Sequence, residues 1–286
     1  MRTLTKQLLT SSTILLFFII VCSSYSFAGN TEKKSMWLLL KPEDVSAGAH
    51  HLNHFKIFSK YTKGYNLEVL KAIDKVQAHA MDGGKYFIGK DSVPTESPVN
   101  YELKLYNKSL ITPPRQSSYC SGSSYSVFIE ALNSILSKKL NNLTEERFEA
   151  LRMQEPDGGR REDWVKFWGI WNADGFGTQY AMVQYSGIGK EIRPDEARPG
   201  DFVNISWKTG IGHSVVFLGW YLDKDNKKNM VYWSSQKGTN GYGDQIVSLE
   251  RIKDVKFVRL VKPENLFKFD INKQPDKNIP GDIINW

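Results

Sequence analysis

The run Ser117-Ser118-Tyr119-Cys120-Ser121-Gly122-Ser123-Ser124-Tyr125-Ser126-Val127-Phe128-Ile129-Glu130-Ala131-Leu132 decides how the chain is read. Its first half is small and polar. From there Val127, Phe128, Ala131, Leu132, Ile135 and Leu136 recur at threes and fours, the spacing of one apolar helix face. Pro113-Pro114 stiffens the approach. The spacing therefore puts Cys120 at, or one turn inside, the start of a buried helix.

Working outward toward the N-terminus, Leu67, Val69, Leu70, Ile73 and Val76 predict a helix from Tyr65 toward Gly83-Gly84. Tyr86-Phe87-Ile88 reads as a short strand, Asp91 to Pro98 as a loop, and Tyr101 to Tyr106 as a strand. Residues 29–64 form a polar lead-in. It holds His50, His51 and His54, with no Asp, Glu or Cys at metal-ligand spacing, so these are read as solvated surface histidines. The first 28 residues read as an export signal. Arg2 and Lys6 precede the apolar run Ile14 to Val21, and Ser26-Phe27-Ala28 supplies a small-x-small cleavage site. That run is shorter than the roughly 20 residues needed to span a bilayer, and Val21 fits poorly where a lipoprotein site wants a small residue, so a lipoprotein at Cys22 is the lesser alternative. The expected location is the periplasm or the extracellular space.

Toward the C-terminus a helix is expected from Thr144 and another near Glu162, carrying Trp164, Trp168 and Trp171. A glycine-rich passage, Gly175 to Gly189, follows. From Arg198 the chain reads as strands: Phe202 to Ile205, Ser214 to Tyr221, Met230 to Trp233, Ile246 to Leu249 and Val255 to Leu260. Helices first and strands second predict an α+β domain over 65–262, with 263–286, rich in Lys, Asp, Asn and Pro, as a tail.

Composition narrows the function. Hydrophobic residues at 41% and aromatics at 13% are enough to build a core. Net charge is +7, or +5 without the two basic residues of the signal, and it is spread without a basic stripe. Nucleic acid is therefore not the expected partner, while anionic wall polymers are compatible. Once Cys22 leaves with the signal, Cys120 is an unpaired thiol in an oxidising compartment, which marks it as a reactive candidate.

A thiol needs its thiolate favoured before it attacks. A helix N-terminus and a neighbouring imidazolium are the common means, and both would lower its pKa. His213 is the one histidine downstream of Cys120; Gly212 leaves its approach open and an apolar strand follows it. The hairpin turn near residues 225–226 would set His213 opposite 237 or 238. Gln236 is then the expected third residue, accepting from the second ring nitrogen, with Ser234 as the alternative. For the oxyanion, the backbone N–H of Cys120 is one donor, and Gln116 or the Tyr119 hydroxyl is the other. The helical spacing of Trp164, Trp168 and Trp171 favours core over a substrate groove.

Three segments in this order resemble the NlpC and CHAP families of cell-wall cysteine hydrolases: Tyr119-Cys120-Ser121-Gly122, Arg198-Pro199-Gly200-Asp201-Phe202-Val203, and Gly212-His213-Ser214-Val215-Val216-Phe217-Leu218-Gly219. The likeness runs from Ser117 to about Gly243. It implies a papain-like fold with the nucleophile at a helix start packed on an antiparallel sheet. It also implies cleavage of an amide bond in peptidoglycan peptides, with no metal or other cofactor. Two positions depart from the family: Tyr119 stands where NlpC-type sequences usually have Asp, and the third catalytic position offers only Gln or Ser. A transferase using the same dyad, or an inactive wall-binding module, are the alternative readings.

Overall fold

In the computed structural model the described residues are 36–87, 97–153, 167–168, 180–273, 276 and 279–286. The expected signal peptide, most of the loop before Pro98, Trp164, Trp171 and the start of the glycine-rich passage lie outside them. Among the described residues no helix is long and apolar enough to cross a membrane.

Five α-helices are described: α1 (His54–Phe58), α2 (Asn66–Gln77), α3 (Cys120–Leu136), α4 (Glu145–Ala150) and α5 (Ala181–Gln184). A small hairpin, β1 (Leu103–Leu105) with β2 (Lys108–Ile111), precedes α3. The second half supplies β3 (Gly189–Ile192), β4 (Phe202–Trp207), β5 (Gly212–Leu222), β6 (Lys228–Gln236), β7 (Gly241–Ser248) and β8 (Ile252–Leu260). These six form an antiparallel sheet in the order β3-β8-β4-β5-β6-β7. The α+β reading holds, and Cys120 is the first residue of α3.

Helix α3 is buried from Cys120 to Leu132, so it packs between other layers and not on the surface. One neighbour is α2, which presents Val69, Leu70, Ile73 and Val76 inward while Lys71 and Lys75 stay outside. The other is the sheet face bearing Phe202, Val216, Leu218, Val231 and Trp233. The opposite face carries Val203, Ile205, Val215, Phe217, Met230 and Tyr232. Both faces are covered, which is why the stretch after His213 reads as a continuous apolar run and does not alternate.

That second face is covered in part by residues of the expected lead-in and tail. Leu39 bridges to Trp220, Trp37 sits edge-on to Trp220 at 5.1 Å, and Trp286 stacks on Trp37 at 5.4 Å. Val255 pairs with Asp282, and Leu266 and Phe269 lie in the main core. Both segments are polar in composition, yet each places its few large apolar residues onto the sheet or the core. Beyond the expected elements, the structure adds β3 on the sheet edge and the partner strand β2, both short.

The turn at Pro199-Gly200-Asp201 is anchored by a fully buried carboxylate. Asp201 accepts two bonds from the Arg259 guanidinium at 2.7 Å each, one from Asn66 Nδ2 at 2.8 Å and one from the Arg198 N–H at 2.8 Å. This network ties β4 to β8 and to the start of α2.

Candidate functional site

The β5–β6 ladder ends at Val216 opposite Trp233. Beyond it, the small hydroxyl residues that open α3 fit between the strand ends and take over their hydrogen bonds. The Ser235 N–H donates to Ser123 Oγ at 2.9 Å, and Ser234 Oγ donates to the Ser214 carbonyl at 2.7 Å. Ser124 and Ser214 hydroxyls meet at 2.6 Å, and those of Ser118 and Ser235 at 2.8 Å. All six serines are buried, so each hydroxyl needs a partner, and here they serve one another. Gly122 allows the close seating: a Cβ there would stand 1.7 Å from the Pro98 carbonyl oxygen.

Cys120 is thereby held in the fork at 7% exposure. Burial pushes its thiol pKa up; the N–H groups of Ser214, Ser121 and Cys120 itself face the sulfur and partly offset that. The expectation of a lowered thiol pKa is corrected. The helix start does direct N–H groups at sulfur, but desolvation outweighs them.

Ser214 is the residue after His213, so the sulfur meets the backbone one residue away from the histidine. The His213 ring lies edge-on to Tyr232 at 5.5 Å and 6.1 Å from Trp207. Burial lowers its pKa to about 4, and a hydrogen bond with Gln236 works in the opposite direction. The imidazole is therefore neutral at neutral pH and available as a base.

A β-bulge between Phe217 and Gly219 shifts the β5–β6 register by one residue. Continued past Val216 and Trp233, that register sets His213 opposite Gln236 and not opposite 237 or 238 as the turn alone predicts. Gln236 Nε2 donates to Thr239 Oγ1 and to the Gly243 carbonyl, and its buried oxygen, which has no other partner, is the group left to interact with the ring. Ser234, the alternative third residue, is committed to Ser214 and Ser123 across the fork.

Of the two oxyanion candidates, Gln116 is exposed on the segment before α3, and Tyr119 is wholly buried in the main core. Trp168 is core as expected, its indole N–H donating to the Ser121 carbonyl at 2.9 Å. Two tyrosines escaped the sequence reading. Burial first, and then the nearness of Cys120, raises the pKa of Tyr86 to about 12; Tyr232 is raised too, by burial first, with Cys120 adding to it. Both thus lie within electrostatic reach of the sulfur. Strand alternation does place Tyr232 on the His213 face, which is the signal that could have found it.

A second cluster overturns the surface reading of the lead-in histidines. His51 and His54 are buried, at 7% and 0% exposure. Their rings stack at 4.1 Å, and Asp244 accepts from His51 Nε2 at 3.0 Å and from His54 Nε2 at 2.9 Å. Asp74 holds His54 Nδ1 at 2.7 Å and caps α1 through the His54 and Phe55 N–H groups. The acidic partner lies 190 residues away from His54 in the sequence, so local spacing could not show it. His50 is separate: its Nε2 contacts the Thr239 carbonyl at 3.0 Å.

The fold and site define an α+β protein with a buried cysteine at the N-terminus of a helix packed on an antiparallel sheet, its sulfur facing the backbone N–H next in sequence to a buried histidine. The chain matches no protein-family model, no curated protein and no solved structure.

Proposed function

We propose that the chain is an exported cysteine hydrolase of papain-like type that cuts an amide bond in the peptides of peptidoglycan. The observation carrying this reading is the contact of the Cys120 sulfur with the N–H of Ser214, next in sequence to His213. Gln236 backs the histidine, and the resemblance to NlpC and CHAP hydrolases at these same positions supports the substrate class.

In this reading both groups rest neutral. His213 takes the thiol proton as sulfur attacks the amide carbonyl, and Gln236 holds the imidazolium that forms. The Cys120 N–H stabilises the oxyanion, with Gln116 as the second donor. The C–N bond breaks, His213 returns the proton to the leaving amine, and a thioester remains. Water, deprotonated by His213, then releases the acid and restores the thiol. No cofactor enters these steps.

The protonated resting thiol also favours a second reading, a wall-binding module without turnover. Incubating purified protein with peptidoglycan and weighing the soluble products separates the two. Hydrolysis yields fragments whose masses sum to that of the parent peptide plus one water, and Cys120→Ala yields none. A binding module leaves the polymer intact while sedimenting with it. Addition of a small amine tests a transferase, which would append that amine to the acyl product.

A further inference from the structure

We propose that His51, His54 and Asp244 form a zinc site, distinct from the Cys120 site and independent of the function proposed for it. Their nitrogen and oxygen donors lie within 4.8 Å of one another. The His–Asp separations of 2.9 and 3.0 Å are hydrogen-bond distances, and a small opening would bring them to the roughly 3.3 Å that separates tetrahedral ligands about 2.0–2.1 Å from a shared ion. Two imidazoles and one carboxylate form a donor set that suits zinc better than magnesium or calcium, which prefer all-oxygen shells.

Two further observations point to a ligand. Asp74 bonds Nδ1 of His54, which fixes the ring with Nε2 toward Asp244. This is the carboxylate–histidine arrangement that orients ligand imidazoles. His51 and Asp244 also line a pocket of about 200 Å³, bounded by Asp44, Ala49, Val231 and Ile246, which leaves room for water in a fourth position. Without metal, protons hold the set together: His54 carries one on each nitrogen, between two carboxylates, and His51 donates from Nε2 while its Nδ1 accepts the Asn53 N–H at 3.1 Å. Zinc takes the place of the His54 Nε2 proton, which leaves to solvent. The Nε2 proton of His51 is replaced by one on Nδ1, which gives up the Asn53 contact and keeps the ring neutral. The ion would brace α1 against β7, where the carbonyl of neighbouring Gly243 holds Gln236.

The test is equilibrium dialysis of the purified chain against zinc chloride, with metal quantified by mass spectrometry. The background carries Cys120→Ala, so that the thiol cannot hold the ion. One zinc per chain is expected at pH 7.5, with proton release on binding. His51→Gln, at the pocket rim, and His54→Gln should each weaken binding at least tenfold. Asp74→Asn should weaken it about 10- to 100-fold. His50→Gln should leave it unchanged. Circular dichroism checks that the variants fold, and zinc should raise the melting temperature of the parent but not of His51→Gln. Absence of binding in the parent, or binding undiminished in folded His51→Gln, overturns the site.

Discussion

The backbone N–H of Ser214 points at the Sγ of Cys120, although 94 positions separate the two residues in the sequence. Because Ser214 follows His213, the sulfur rests against the strand that carries the proposed base. The contact exists because β5 and β6 part after Val216 and Trp233, which leaves the Ser214 amide to the helix start.

The resting charge state sets the first prediction. With His213 near pH 4 and the thiol pushed upward, both groups are neutral between about pH 5 and 8. The acid limb of kcat/KM should therefore fall as pH drops through about 4, and not near 6.5. Cys120 alkylation by iodoacetamide should accelerate only at alkaline pH. Rapid alkylation at pH 5 would show a preformed thiolate–imidazolium pair and contradict this.

Gln236 is assigned to hold the His213 ring. Gln236→Ala should lower kcat about 10- to 100-fold with little change in KM. Gln236→Glu keeps the acceptor and adds a negative charge, so it should raise the histidine pKa and move the acid limb upward. Ser234→Ala should reduce thermal stability and spare kcat. Equal pH profiles for the wild type and both Gln236 variants would remove the assignment.

Asp201 is fully buried against Arg259. Asp201→Ala leaves that guanidinium without its partner and should cost about 3–5 kcal/mol, read as a lower urea midpoint. A loss below about 1 kcal/mol would mean that water reaches Arg259 without strain.

His54 predicts a stability that depends on pH. Burial lowers its pKa, but Asp244 and Asp74 together outweigh this and raise it from 6.5 to about 9. A raised folded pKa means that the stabilisation is complete below 6.5 and fades as pH climbs through 9. Two and a half pH units correspond to about 3 kcal/mol. Asp244 is shifted the other way: burial raises its pKa, but the histidines prevail and lower it, so its contribution fades below 3.8. The difference in urea midpoint between wild type and His54→Gln, measured without metal, should be largest near pH 6 and shrink by pH 9.5. A difference that grows with pH would reverse the assignment.

Much of this was legible in the chain because it rests on local chemistry. Apolar spacing after Gly122 located α3 and so placed Cys120 at its start. Glycine at 122 and the serines around it are the residues a helix start needs to enter between two strands. Non-local facts were less visible. One extra residue in β5 moved the partner of His213 from 237 to 236, and a bulge leaves little trace in an apolar run. The thiol pKa depends on how deeply the fork closes over the sulfur, which helix position alone does not determine. His54 looked solvated because both of its carboxylates arrive from other elements, and Trp37 and Trp286 looked like parts of loose ends because each completes a cover for which its own segment gives no periodic signal.

The most direct measurement of the central claim is intact-mass analysis of the protein quenched in acid during turnover on soluble peptidoglycan peptides. A thioester predicts an added mass equal to the acyl fragment, mapped to Cys120 and removed by hydroxylamine. It should be absent from Cys120→Ala and should form far more slowly in His213→Ala. Cleavage by Cys120→Ala at the wild-type rate, with no adduct in either protein, would contradict the account.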